Sequence, residues 1–161
     1  MIQLFTELQE KKNVRSNLSA LRASLKEATE EQKAQAIEFV RGHEDLVFGF
    51  LQEEDAKTRK NAALLLGDLA VQNALQPLWK AYTREQTLFV KSAYLEAMKA
   101  LHAEEILSQL KDRLAELEGE PVTEENRKHR EAELRALRAI LIQYEGCLLY
   151  TSPSPRDGAT S

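Results

Sequence analysis

Cysteine is all but missing from this chain of 161 residues, and its single copy, Cys147, lies near the C-terminal end. A disulfide framework and thiol chemistry are therefore excluded for the rest, which fits a cytoplasmic location. No apolar run approaches the roughly 20 residues that a membrane span requires, so no membrane partner is expected. The first residues, MIQLFTELQEKKN, lack the charged start and apolar core of a signal peptide. An excess of positive charge is also missing. The formal net charge is −4 and the pI about 5.5, which gives no overall electrostatic case for gripping nucleic acid. Glycine is scattered at positions 42, 49, 67, 119, 146 and 158. That spacing builds no Gly-rich strand-to-helix turn for a nucleotide, and no cofactor is expected. Proline before residue 147 is limited to Pro77 and Pro121. With so few breakers, almost the whole chain reads as helix.

The tail needs separating first. Cys147–Asp157 reads CLLYTSPSPRD, which resembles the in-frame translation of a transposase-type sequencing adapter, with sample-index bases behind Gly158–Ser161. On that resemblance, residues 147–161 are artefactual or a disordered tail, and the natural chain was cut near Gly146.

What is present is apolar periodicity. Val14, Leu18, Leu21 and Leu25 share one helix face. Thr29 with Gln32 forms a capping box for a helix that turns Ala36, Ile37 and Val40 inward and ends near Gly42. Leu46, Val47, Phe50 and Leu51 mark the next helix. Asp55 is an N-cap, followed by Ala62, Ala63, Leu65, Leu66 and Leu69. Asn73 is a candidate cap for a shorter helix with Ala74, Leu75, Leu78 and Tyr82. Pro77 inside it requires a first-turn position or a late start, because interior proline costs about 3 kcal/mol. A shift of 32 places Arg59 on Lys91, Ala62 on Tyr94, Leu66 on Met98, Leu69 on Leu101, and Ala74, Leu75 and Leu78 on Ile106, Leu107 and Leu110. A period of that size predicts stacked helix pairs. Beyond it, Leu107, Leu110, Leu114 and Leu117 continue one helix. Gly119–Pro121 breaks it, and Thr123 opens a charged helix with Leu134, Leu137, Leu141 and Tyr144 on one stripe.

The expected fold is all-α: an α-solenoid of two to three helix pairs over residues 1–117, with an antiparallel terminal hairpin over residues 104–146. The unit carrying Asp55, Arg59, Ala62, Ala63, Leu66, Gly67, Leu69, Ala74 and Leu78 resembles the HEAT-like repeats of the phycobilin-lyase type. The second copy departs from that pattern: Tyr94 and Ala100 replace a small residue and an Asp, so its turn should differ. The runs RKNAALLLGDL, QTLFVKSAYLEAMKAL and TEENRKHREAELRALRAILIQYEG resemble the helical N-terminal segment of certain bacterial RNA methylases. In that family the segment precedes a THUMP-like RNA-binding portion and an S-adenosylmethionine-dependent methylase domain. The family's catalytic residues have no counterparts in this chain.

Most chemistry-bearing residues have a plain structural reading. Asp55 and Arg59 suit hydrogen bonds between neighbouring units. His43, His102 and His129 are far apart and unsupported by cysteine, so no metal is expected. The pairs Glu104–Glu105 and Glu124–Glu125 complement helix dipoles. Ser92, Ser108 and Thr87 have no partner base and no nucleophile elbow. Arg127–Arg130 is interleaved with acids and reads as a solvated face. Trp79, the only tryptophan, reads first as core beside Leu75, Leu78 and Tyr82, and second as an exposed anchor next to Lys80 and Arg84. Trp79, Lys80, Arg84 and Lys91 are the partner-binding candidates. Asp55, Arg59, Ala62, Leu66, Gly67 and Leu69 are the structural repeat residues. The resemblance implies a non-catalytic binding or scaffold module, the truncated N-terminal part of an RNA methyltransferase. Its partner would be a protein or its own catalytic domain, with RNA also in play. The alternative is a stand-alone HEAT-repeat adaptor between proteins.

Overall fold

A computed structural model describes residues 1–145, and the expectation for Cys147–Ser161 lies outside them. The described residues form helices and no strand. They divide into two compact units, one from Met1 to His102 and one beginning at Ala103.

The first unit holds α1 (Ile2–Gln9), α2 (Val14–Leu25), α3 (Glu30–Gly42), α4 (Glu44–Gly49), α5 (Ala56–Asp68), α6 (Leu75–Arg84) and α7 (Leu88–Lys99). Short 3-10 turns at Phe50–Gln52 and Gln72–Ala74 precede α5 and α6. The local signals explain the starts. Thr29 accepts the Gln32 amide while the Gln32 side chain accepts the Thr29 amide, satisfying two otherwise orphaned donors of α3. The Asp55 carboxylate takes the amide and hydroxyl of Thr58 and opens α5. α6 begins only at Leu75, after the 3-10 turn, so Pro77 falls in its first turn, where no intrahelical N–H bond is lost. Asn73 therefore sits inside that turn rather than capping α6, and its side chain reaches Glu44 at 3.1 Å.

Packing centres on α5, which lies against α2, against α7 and against the 3-10 turn before it. Ala62, Ala63, Leu65 and Leu66 are buried there. Gly67 sets the closeness of α5 and α7: a Cβ on it would lie 2.9 Å from the Cα of Ala97 and 3.2 Å from its Cβ. Beyond Leu69, Ala70 turns into the left-handed region at φ 51°. The Ala70 amide donates to the Gly67 carbonyl and the Val71 amide to that of Leu66, so α5 ends in a Schellman motif. The helix that carries Lys91 ends differently, without a left-handed residue. α3 is far less embedded and buries only Ala36 and Val40. The segment Leu46–Leu51 spans the end of the six-residue α4 and the start of the 3-10 turn after it, with Val47, Phe50 and Leu51 buried and Leu46 half-buried.

The second unit contains a 3-10 turn (Glu104–Ile106), α8 (Leu107–Gly119) and α9 (Arg127–Glu145), and α8 packs on α9. Leu110, Leu117, Leu134, Leu137, Ile140 and Leu141 are buried. α9 begins four residues later than Thr123. Thr123 and Asn126 exchange side-chain and amide hydrogen bonds, and Asn126 also donates to the Pro121 carbonyl. These reciprocal bonds, with the Arg127 amide donating to the Thr123 carbonyl at 3.1 Å, are the kind of cap that also opens α3. Arg113 reaches the buried carboxylate of Glu133 at 3.2 Å, and the Tyr144 hydroxyl accepts the Ala103 amide at 2.7 Å. No described helix is long and apolar enough to cross a membrane.

Candidate functional site

Two neighbouring features of the first unit hold most of the residues singled out from the sequence. The first is the outer side of α6. Lys80 and Arg84 are one helical turn apart and exposed. Trp79 is half-buried, with its ring 5.4 Å from that of Tyr82 at an angle of 37°. Lys91, from α7, lies with its ammonium 5.9 Å over the same Tyr82 ring, within cation–π range. Trp79 thus packs on Tyr82 while keeping part of its surface exposed.

The second feature is a buried polar network at the junction of α5, α6 and α7. Arg59, on the first turn of α5, places Nε and one terminal nitrogen on the two carboxylate oxygens of Glu85 at 2.9 and 2.8 Å. Its other terminal nitrogen donates to the carbonyls of Glu53 and Glu54, both at 2.8 Å. Glu85 also accepts from the Thr87 amide at 3.2 Å and from the Tyr94 hydroxyl at 3.1 Å. Its side chain keeps only 5% of its surface exposed, against 17% for Arg59. Burial pushes the Glu85 carboxyl up. The Arg59 hydrogen bond, the Thr87 amide, the Arg59 charge and the Tyr94 hydroxyl outweigh it and hold the group below its ordinary value. Burial, with the Glu85 charge beside it, pushes the Tyr94 hydroxyl well above a normal tyrosine. At neutral pH the site therefore holds a carboxylate with its oxygens occupied and a protonated phenol. Such a set ties three helices together and leaves no basic oxygen poised for proton transfer. Beside it lies a concavity of about 490 Å³ whose wall includes Leu51, Ala81, Arg84 and Gln86.

Nothing local in the sequence marks Glu85 and Tyr94 as partners of Arg59. Glu85 follows the last residue of α6, where nothing local distinguishes it from a surface acid. Tyr94 did leave a signal: it is a large residue where the repeat pattern expects a small one. Its hydroxyl uses the extra length to reach Glu85, and it lies 3.4 Å from the Leu51 carbonyl.

Asp55 caps α5 and meets Arg15 at 3.4 Å. The Thr58 hydroxyl holds its carboxyl below the usual range. The three histidines stay apart in their surroundings. His43 is stacked on Phe39, with Nδ1 donating to the Phe39 carbonyl at 2.8 Å and Nε2 at 2.7 Å from the Gln9 amide. His102 bonds through its backbone to Gln72. The Nε2 of His129 is 4.0 Å from Glu133. Among the described residues no group of three His, Cys, Asp or Glu is placed to hold a metal. Arg130 donates to the carbonyls of Leu117 and Glu118 at the end of α8, while Arg127 and Lys128 are exposed.

No protein-family model, no curated protein and no solved structure matches the chain.

Proposed function

We propose that this chain is a HEAT-like helical-repeat module that binds a partner through the outer side of α6. On the resemblance of its sequence to bacterial RNA methylases, it acts as a non-catalytic N-terminal part that positions RNA or the catalytic domain. The observation that carries the binding reading is the strip of Trp79, Lys80 and Arg84. It presents a half-buried aromatic ring and two exposed cations side by side, whereas Arg59, Glu85 and Tyr94 are consumed in a structural network. The repeat reading is supported by the spacing of the elements. α5 begins at Ala56 and α7 at Leu88. The 3-10 turns begin at Gln72 and Glu104, and the helices after them at Leu75 and Leu107. Each pair is 32 residues apart.

A second reading, an adaptor that binds protein only, draws on the same strip. Trp and Arg are the residue types that dominate protein-binding hot spots, and the net charge of −4 disfavours a polyanion. Titration of the chain with bulk tRNA at 50 and 200 mM salt separates the two. Two phosphate contacts predict weak binding that falls about tenfold between those concentrations and disappears in a Lys80→Glu, Arg84→Glu variant. Absent or salt-insensitive RNA binding moves the conclusion to the protein adaptor. A parallel titration with S-adenosylmethionine is expected to be silent, and tight binding would overturn the non-catalytic reading.

A further inference from the structure

α3 meets the rest of the first unit sparingly, and the space beside it is open. Two concavities of about 460 and 590 Å³ adjoin there and share Ile37, Leu69 and Ala70. One side is the stripe Lys33, Ile37 and Arg41, four residues apart along α3 and so on one helix face. The other side is the end of α5 with its left-handed turn, and Leu25 at the end of α2 and Lys26 after it complete the lining. The floor is apolar: Leu25, Leu69 and Val71 are buried and Ile37 is half-buried.

The rim is cationic although the whole chain is acidic. Four cations, Arg22, Lys26, Lys33 and Arg41, line it against two carboxylates, of which only Asp68 is paired with a cation. Asp68 is held by Arg22 at 2.7 Å, and Glu44 by the Asn73 amide at 3.1 Å. Lys33 forms just a long pair, 3.8 Å, with the exposed Glu30. Lys26 and Arg41 are exposed and enter no ion pair or side-chain hydrogen bond among the described residues. A groove with an apolar floor and a cationic edge is complementary to one kind of ligand: a helix with apolar residues on one face and carboxylates flanking them. A nucleic acid strand would use the cations but gain nothing from the floor. From Lys33 to Arg41 the groove runs about 12 Å, room for roughly two helical turns.

We propose that the groove between α3 and the end of α5 is a docking site for an acidic amphipathic helix of a partner protein. It uses neither Trp79, Lys80 nor Arg84, so it stands or falls apart from the α6 surface.

The test uses the 161-residue chain and three fluorescein-labelled probes. One is a peptide helix with leucines at i, i+3, i+4 and i+7 on a glutamate and alanine background. The second has the same composition with the leucines spread around the helix, and the third is an oligouridylate. The facially ordered peptide is expected to bind. Its affinity should fall at least about tenfold in Lys26→Glu, Arg41→Glu and in Ile37→Asp, and stay within about twofold in Lys80→Glu, Arg84→Glu. Lys26 and Arg41 are exposed and bury no contact, and circular dichroism of each variant checks that the fold survives the charge reversal. Amide shifts on peptide addition should centre on Ile37, Leu69 and Ala70. No peptide binding at concentrations on the order of 1 mM overturns the proposal. So does equal binding of the two peptides, or indifference to the charge reversal. Oligouridylate binding that competes with the peptide and is lost on the same reversal would assign the groove to nucleic acid instead.

Discussion

At the residue scale, Ala70 is the clearest case of a side chain working against its backbone. A left-handed φ costs an L-residue about 1–2 kcal/mol, and the position one past the cap of a Schellman motif ordinarily takes glycine. Ala70→Gly should raise stability by about 0.5–1 kcal/mol after the greater freedom of glycine in the unfolded chain is subtracted. The urea midpoint reads this directly, and an unchanged or lower midpoint would show that the alanine methyl is stabilised by packing. Glu85 is the opposite case, a charge kept in place by four hydrogen bonds from three residues. Glu85→Ala would strand the Arg59 guanidinium, half of whose contacts go to that carboxylate. A loss on the order of 3 kcal/mol is expected, as for breaking one side of a buried pair. Tyr94→Phe removes one donor of several and should cost about 1 kcal/mol. If denaturant unfolding ranks these two variants in the reverse order, the network is held by the tyrosine and not by the arginine.

At the scale of elements, the close approach of α5 and α7 decides which substitutions are tolerated. Leu66→Ala opens a cavity in a fully buried position and should cost about 2–5 kcal/mol. Gly67→Ala overfills the same contact and should cost about 1–3 kcal/mol. Adding Ala97→Gly should rescue it only partly, because the nearest atom to the new methyl is the Ala97 Cα, which that change leaves in place. Full recovery in thermal melts of the double variant would mean that the helices are free to slide apart. α3 lies at the other extreme. With two buried residues and its caps, it should exchange its amides well before α5, whose burial runs on two sides. Equal protection of the two helices in hydrogen exchange would contradict this packing order.

For the molecule as a whole, acid is the informative perturbation. The carboxyls of Glu7, Asp55 and Glu85 are all held below their ordinary values, Glu7 chiefly by the Gln3 side chain. A group depressed in the folded state binds more protons when unfolded, so its contribution is complete above the ordinary carboxyl range, about pH 4.5, and is lost as pH falls through the folded value. Stability should therefore be flat near neutrality and decline steadily below about pH 4.5. Glu85→Gln should make that decline shallower while lowering stability at pH 7. A variant whose acid limb is as steep as the parent's would show that Glu85 titrates normally.

How much of this was legible in the sequence differs from element to element. Thr29 with Gln32, and Asp55 by itself, announced their helices, because capping is a matter of three or four neighbouring residues. The apolar stripe of α5 and the first-turn place of Pro77 were readable for the same local reason. The all-helical class followed from periodicity and from the shortage of breakers. The place of Asn73, inside a 3-10 turn and not at a helix cap, was not readable, since its side chain bonds Glu44, 29 residues away. Nor was the partnership of Arg59, Glu85 and Tyr94, which spans 35 residues and exists only once three helices converge. The groove beside α3 belongs to the same class. Lys26, Arg41 and Leu69 have no pattern linking them in the chain, and a shared surface arises only where packing leaves a gap. Sequence by itself determined the helices, because their energetics are local and repeat with the helical period. Tertiary structure decided which charges are buried as partners and which line a surface, because those depend on contacts between residues far apart along the chain.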